Sequence, residues 1–192
     1  MDVLPGSFVH VGMPLVRIAS LSKARGEELA SSSEKIISTL AIGVRRTFEH
    51  DPRFGLSVLS EIASRALSPA VNDPGTAIDV IGRGIRSLTC WGNPKEPAAK
   101  IDADCQQVYL RGLTVDDLFD DFFAPIARDG AGLLEVDLRL MKALVSLAQI
   151  NPAMFSAACT KHAELLLKRA NIALVLDEDR HRLRSAARPL LY

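Results

Sequence analysis

The stretch Arg65-Ala66-Leu67-Ser68-Pro69-Ala70-Val71-Asn72-Asp73-Pro74-Gly75-Thr76-Ala77 constrains the fold most, because its two prolines end one helix and begin another within a few residues. Ser68 precedes Pro69 and is pushed out of the α region, which stops the first helix. Asp73 stands where an N-cap belongs and Pro74 where the first helical residue belongs. On the N-terminal side, Leu56, Leu59, Ile62, Ala63 and Ala66 share a helical face; on the C-terminal side, Ile78, Ile81, Ile85 and Leu88 restart the stripe. Gly82 and Gly84 each cost about 1 kcal/mol against Ala inside a helix, so the spacing predicts close approach of another backbone there.

Other segments carry the same period. Ile37, Leu40, Val44 and Phe48 predict an amphipathic helix over residues 22–50. Thr114 with Asp117 opens a helix bearing Leu118, Phe119, Phe122, Phe123 and Ile126, and Gly130 with Gly132 ends it. Leu134, Leu138, Met141, Val145 and Ala148 define the next, Asn151-Pro152 caps another, and Asp177 is placed to cap the last. Strand character is confined to short stretches. Pro5-Gly6 and Gly12-Met13-Pro14 punctuate Phe8, Val9, Val11 and Leu15 to Ile18, which predicts a β hairpin, and residues 107–111 fit one further strand. The expected architecture is mainly α, a multi-helix bundle with a small N-terminal β element. The division is residues 1–20 for that element and 21–192 for the helical domain, one domain overall.

With 48% hydrophobic but only 5% aromatic residues, the core is built from Leu, Ile, Val and Ala, which favours helices. Twenty-three basic and 23 acidic residues cancel, so no global field recruits nucleic acid. Cys90, Cys105 and Cys159 are scattered and form no metal-binding or disulfide pattern, which fits a reducing compartment. No apolar run approaches the roughly 18 residues that span a bilayer, so the chain as given is expected to be soluble.

Beyond the Pro-punctuated loop, Gly6-x-Phe8-Val9-x-x-Gly12-x-Pro14-Leu15, Gly43-Val44-Arg45-Arg46-Thr47, Asp51, Phe54-Gly55, Ala66-Leu67-Ser68-Pro69 and Asn72-Asp73-Pro74 with Thr76-Ala77 form one pattern. It resembles the soluble C-terminal part of the predicted bacterial membrane proteins of domain-of-unknown-function family 2254. The resemblance implies several spanning helices elsewhere in a longer chain, the full-length protein in the bacterial inner membrane, and this portion on the cytoplasmic side. It implies no activity, and the domain is expected to pack against copies of itself and the membrane-spanning part of the same protein.

Three places invite chemistry. At the signature loop, the helix N-terminus with Arg65, Ser68, Asn72, Asp73 and Thr76, and Arg45 or Arg46 nearby, has the groups to hold a phosphate or carboxylate. The plainer reading is that Asp73 and Thr76 cap the helix, Asn72 holds the turn and Glu61 pairs with Arg65. Asp116-Asp117-Leu118-Phe119-Asp120-Asp121 is similar to the aspartate-rich magnesium motif of prenyl-diphosphate enzymes, with four carboxylates on one helical face, but no second acidic motif accompanies it. A solvated acidic first turn explains it equally. His10, His50, His162 and His181 have no metal-ligand spacing, and His162 on its apolar stripe reads as a core histidine. The N-terminal element is similar to half of a biotinyl or lipoyl carrier module but lacks the Met-Lys turn.

No nucleophile elbow, Walker loop or dinucleotide fingerprint is present. The expectation is a non-catalytic domain serving assembly, gating or ligand sensing, without metal or cofactor. The alternative is a small-molecule or phosphate-handling enzyme with its site at residues 68–77.

Overall fold

In the computed structural model, residues 3–17, 33–49, 51–94 and 111–191 are described. A short helical stretch at residues 33–38 is α1. Six longer helices follow: α2 (Pro52–Ala66), α3 (Pro74–Gly92), α4 (Val115–Asp129), α5 (Leu134–Ile150), α6 (Pro152–Ala173) and α7 (Asp177–Leu191). They hold more than half of the 192 residues, so the chain is mainly α. The chain forms two compact units, Met1–Asp51 with Asp104–Gly112, and Pro52–Ala103 with Leu113–Tyr192.

The second unit is a bundle centred on α5, which packs against α3, α6, α7 and, more lightly, α4. Helix α2 lies on α3 and α4, while α6 joins α4 to α7. Phe119, Phe122, Phe123 and Phe155 are fully buried among Ile81, Ile126, Leu140, Met141, Leu144, Leu147 and Leu166. Their rings stack at tilted angles, Phe119 lying 4.9 Å from Phe123 and 5.8 Å from Phe155, the offset arrangement that aromatic quadrupoles favour. Four of the ten aromatic side chains meet at this one place, on α4 and the start of α6.

Local signals place the helix ends where the sequence predicts them. Thr114 Oγ1 accepts from the Asp117 amide at 3.1 Å, and Asn151 Oδ1 accepts from the Met154 amide at 3.2 Å. Asn151 also donates through Nδ2 to the Gly92 carbonyl at 2.8 Å, so one side chain opens α6 and satisfies the C-terminus of α3. Gly130 closes α4, donating its amide to the Ile126 carbonyl. Asp177 falls inside the first turn of α7, where its carboxylate pairs with Arg180 at 2.6 Å.

Three expectations are corrected. Among the described residues 3–17 there is no strand: the Ser7 amide turns back to the Leu4 carbonyl and the Met13 amide to the His10 carbonyl, with Gly6 and Gly12 in the left-handed region. These tight turns remove the extended runs that a hairpin needs, and Phe8 and Val11 point outward. The candidate strand at residues 107–111 lies outside the described residues except for Arg111, which is not in a strand.

The helix expected over residues 22–50 is the second correction. Among the described positions it exists only at 33–38, and Ile37, Val44 and Phe48 are exposed. Ser38 and Thr39 hydroxyls donate to the Lys35 and Ile36 carbonyls at 2.7 Å, and the Thr39 and Leu40 amides reach back only three residues. That tightened, side-chain-competed turn is a recognised way to end a helix.

The third concerns Gly84, whose close neighbour is not another backbone. A Cβ built there would lie 2.1 Å from the Phe122 ring, and one at Gly92 would lie 2.3 Å from Phe155. Each glycine is a notch that receives an aromatic side chain.

Candidate functional site

The signature loop is a compact turn. After α2 the Ser68 hydroxyl donates to the Arg65 carbonyl at 2.7 Å, the Asn72 amide to the Ser68 carbonyl at 2.9 Å, and the Asp73 amide to the Ala66 carbonyl at 2.8 Å. Asn72 takes φ +48°, the left-handed conformation that asparagine tolerates better than most side chains. Asp73 then caps α3, accepting from the Thr76 amide at 3.0 Å through Oδ1 and from the Thr76 hydroxyl at 2.5 Å through Oδ2. The Thr76 side-chain bond, then its backbone bond, hold the Asp73 carboxyl below its ordinary range. Asp73 and Thr76 are therefore committed to each other, and the carboxylate occupies the helix N-terminus that an anion would need.

Asp73→Ala is expected to lower the melting temperature by a few degrees through loss of this cap, with no phosphate-dependent shift in wild type or variant. Thermal melts with and without phosphate check it, and a clear phosphate stabilisation would point to an anion site.

Arg65 parts company with the other four candidates. Its side chain lines a groove between α2 and α4, together with Ser57, Ser60, Glu61, Ser64, Asp120, Asp121, Pro125 and Arg128. The groove has a volume of about 550 Å³. The expected Glu61–Arg65 ion pair is not made: among the described residues neither side chain has an ionic or hydrogen-bonding partner. Arg46 belongs to the other unit, where its Nε donates to the buried Asp51 at 2.6 Å.

The four carboxylates at the start of α4 are divided between two neighbours. On one side, Arg53 of α2 donates through Nε and Nη2 to Asp121 at 2.7 and 2.9 Å and lies 3.4 Å from Asp117. On the other, Lys161 of α6 lies 3.4 Å from Asp116 and 3.3 Å from Asp120. Burial opposes the charge on Lys161, but Asp120 and Asp116 outweigh it and raise its pKa. The row of aspartates thus straps α4 to α2 and α6 through intramolecular cations. Among the described residues no group of three or more His, Cys, Asp or Glu side chains is arranged to hold a metal ion.

His162 sits buried on α6 beside the rings of Phe119 and Phe123, with centroids 5.7 and 5.9 Å away. Its Nε2 lies 3.1 Å from Asp120 Oδ1 but without the alignment of a hydrogen bond. Burial pushes the imidazole below its ordinary pKa despite Asp120, so the contact is polar rather than an ion pair at neutral pH. Cys159, one turn earlier, is buried, and desolvation pushes its thiol up to about 12, which leaves it unreactive.

Sequence reasoning missed the groove and Asp137. The groove had a signal in the serines at 57, 60 and 64, which recur at helical spacing on a face where apolar residues are expected. Asp137 on α5 is fully buried, and among the described residues neither carboxylate oxygen has a partner. Burial first, and Glu135 second, push it up to about 7.

The family profile described as "Predicted membrane protein (DUF2254)" matches residues 1–146, which is most of the chain and includes the signature loop, α2 to α4 and all but the last turn of α5. The chain belongs to that family. Uncharacterized proteins of Mycobacterium bovis and Mycobacterium tuberculosis are 40% identical to it over 76 residues, which cover 40% of this chain and 15% of theirs. The chain thus matches only a small part of the length of these curated relatives. No solved structure matches it. Among the described residues of this DUF2254 chain, no helix is long and apolar enough to cross a membrane.

Proposed function

We propose that this chain is a non-catalytic helical portion of a DUF2254 membrane protein, serving assembly, gating or sensing by packing against copies of itself. The supporting observation is a set of outward apolar side chains at the turn between α6 and α7: Ile172 and Val175 are 86% and 87% exposed, and Leu176 is 58% exposed. Three large apolar residues within five positions form a patch of the kind that marks contact surfaces. The polar candidates point the same way, since Asp73 with Thr76 is engaged in capping α3, and the α4 aspartates with Arg53 and Lys161 are engaged in holding helices together. In this reading the full-length protein lies in the bacterial inner membrane, this portion faces the cytoplasm, and its partners are other copies and the membrane-spanning part.

Light scattering at micromolar concentration is expected to report a dimer or higher species, and Ile172→Glu combined with Val175→Glu to shift it toward monomer. Both positions are exposed, so the fold should survive the change. A wild-type chain that stays monomeric throughout would remove the self-association reading.

A further inference from the structure

The groove between α2 and α4 is polar where packed helices usually bury apolar side chains: its only apolar lining residue is Pro125. The two helices run in the same direction along it. Arg53 near the start of α2 meets Asp117 and Asp121 near the start of α4, and Ser64 near the end of α2 lies close enough to Asp129 at the end of α4 to help to lower its pKa. The groove is consequently sorted by charge. Asp120 and Asp121 stand at the end near the helix starts, Arg65 and Arg128 at the end near the helix finishes with Glu61 one turn before Arg65, and serine hydroxyls line the floor along α2.

We propose that this groove binds a small zwitterion, a molecule with a primary ammonium at one end and a phosphate or carboxylate at the other. At the anion end, the Arg65 guanidinium has no partner among the described residues, which leaves its planar fork for two oxyanion oxygens. Arg128 adds positive charge there, although Asp129 holds part of its fork at 2.6 and 2.9 Å. At the ammonium end, Asp121 accepts two bonds from Arg53 and keeps further lone pairs free, and Asp120 is shared with Lys161. Ser60 is buried at 3% exposure and donates to the Ser57 carbonyl at 3.0 Å, so its oxygen is fixed as an acceptor on the groove floor.

Eight residues of helix separate Asp120 from Arg128, roughly 12 Å along the axis. The reach of an arginine side chain narrows that gap to the span of a short zwitterion. The volume of about 550 Å³ falls within the roughly 300–1,000 Å³ of small-molecule sites. A lone anion would meet Asp120, Asp121 and Glu61, and a lone cation would meet Arg65 and Arg128; only a ligand with both charges satisfies the two ends.

The probe is O-phosphoethanolamine, titrated into the isotope-labelled 192-residue chain at about pH 7. Saturable amide shifts are expected across residues 57–65, with inorganic phosphate alone and ethylamine alone each binding at least tenfold more weakly. Arg65→Gln is expected to weaken binding at least tenfold, and Ser57→Leu, which fills the groove from a partly exposed position, to abolish it. Cosedimentation with phosphatidylethanolamine vesicles that Arg65→Gln removes would identify the source as a lipid headgroup. Binding of the soluble probe without vesicle binding would identify a free zwitterion. No saturable shift at tens of millimolar, equal binding of inorganic phosphate, or undiminished binding by both variants would overturn the proposal. A monomeric chain that binds the zwitterion leaves this site standing while removing the self-association reading.

Discussion

Asp137→Asn is expected to stabilise the chain at about pH 7.5 and to remove most of the stability that wild type gains on mild acidification. Burial pushes the Asp137 carboxyl from its ordinary 3.8 up to about 7 in the fold. Because the folded pKa is raised, the folded state holds a proton that the unfolded state has released between those values. Stability is then greatest near and below the unfolded value and falls as pH climbs toward 7. At about 1.4 kcal/mol per pH unit, the full span is worth at most about 4 kcal/mol. Among the described residues, Glu135 is the charge that adds to the effect of burial, and no cation offsets it.

Three other groups, His162, Asp129 and the capping Asp73, act in the opposite direction. His162, depressed by burial, draws stability down as pH falls below its unfolded value, and Asp129, lowered chiefly by its Arg128 bond, does so in stronger acid. The difference between wild type and Asp137→Asn isolates the carboxyl from all three. Urea denaturation at about pH 5 and 7.5 should show the variant ahead at the higher pH and the two converging at the lower. Asparagine that destabilises equally at both values would mean that Asp137 has a partner and is ionised in the fold.

Gly84→Ala is expected to destabilise by roughly 2–3 kcal/mol, against the direction that helix propensity dictates. Propensity alone favours alanine inside a helix by about 1 kcal/mol. The new Cβ, however, would lie 2.1 Å from the ring of Phe122, which is fully buried and packed against Phe123 with centroids 5.1 Å apart. Neither ring can move without displacing the core at native packing density. Gly82→Ala in the same helix is the internal control: its Cβ would meet the far end of the Arg139 side chain at 3.1 Å, which swings away readily. Denaturation midpoints that fall for Gly84→Ala and hold or rise for Gly82→Ala are the expected pair. Equal rises in both would show that the Phe122 contact is not tight.

What the sequence by itself determined is mostly what is settled over a few residues. Asp73, Thr114 and Asn151 open their helices because each side chain reaches an amide three positions on, a geometry that the local chain contains in full. Pro69 and Pro74 likewise act through their own rings and neighbours. The family pattern was legible for the same reason, being carried by residues close together in the chain. Residues 33–49 show where this reasoning stops. Ile37, Val44 and Phe48 have a helical period, yet a stripe becomes a helix only if something covers it, and these side chains stand exposed around a turn held by Ser38 and Thr39.

Tertiary structure decided the pairing of distant charges and the character of each cavity. Arg53 and Asp121 are 68 positions apart, and Lys161 and Asp120 are 41 apart, so no local spacing links them. Their meeting turned a row of aspartates with a metal-like pattern into straps between helices. The serines of α2 became a groove only when α4 lay alongside in the same direction, which also sorted Asp120 and Asp121 from Arg65 and Arg128. Asp137 sits in the first turn of α5, where an acidic residue ordinarily meets solvent and favours the helix dipole. Its burial, and hence its raised pKa, follows from the four helices that surround α5, because desolvation is a property of what is packed around a group and not of its place in the chain.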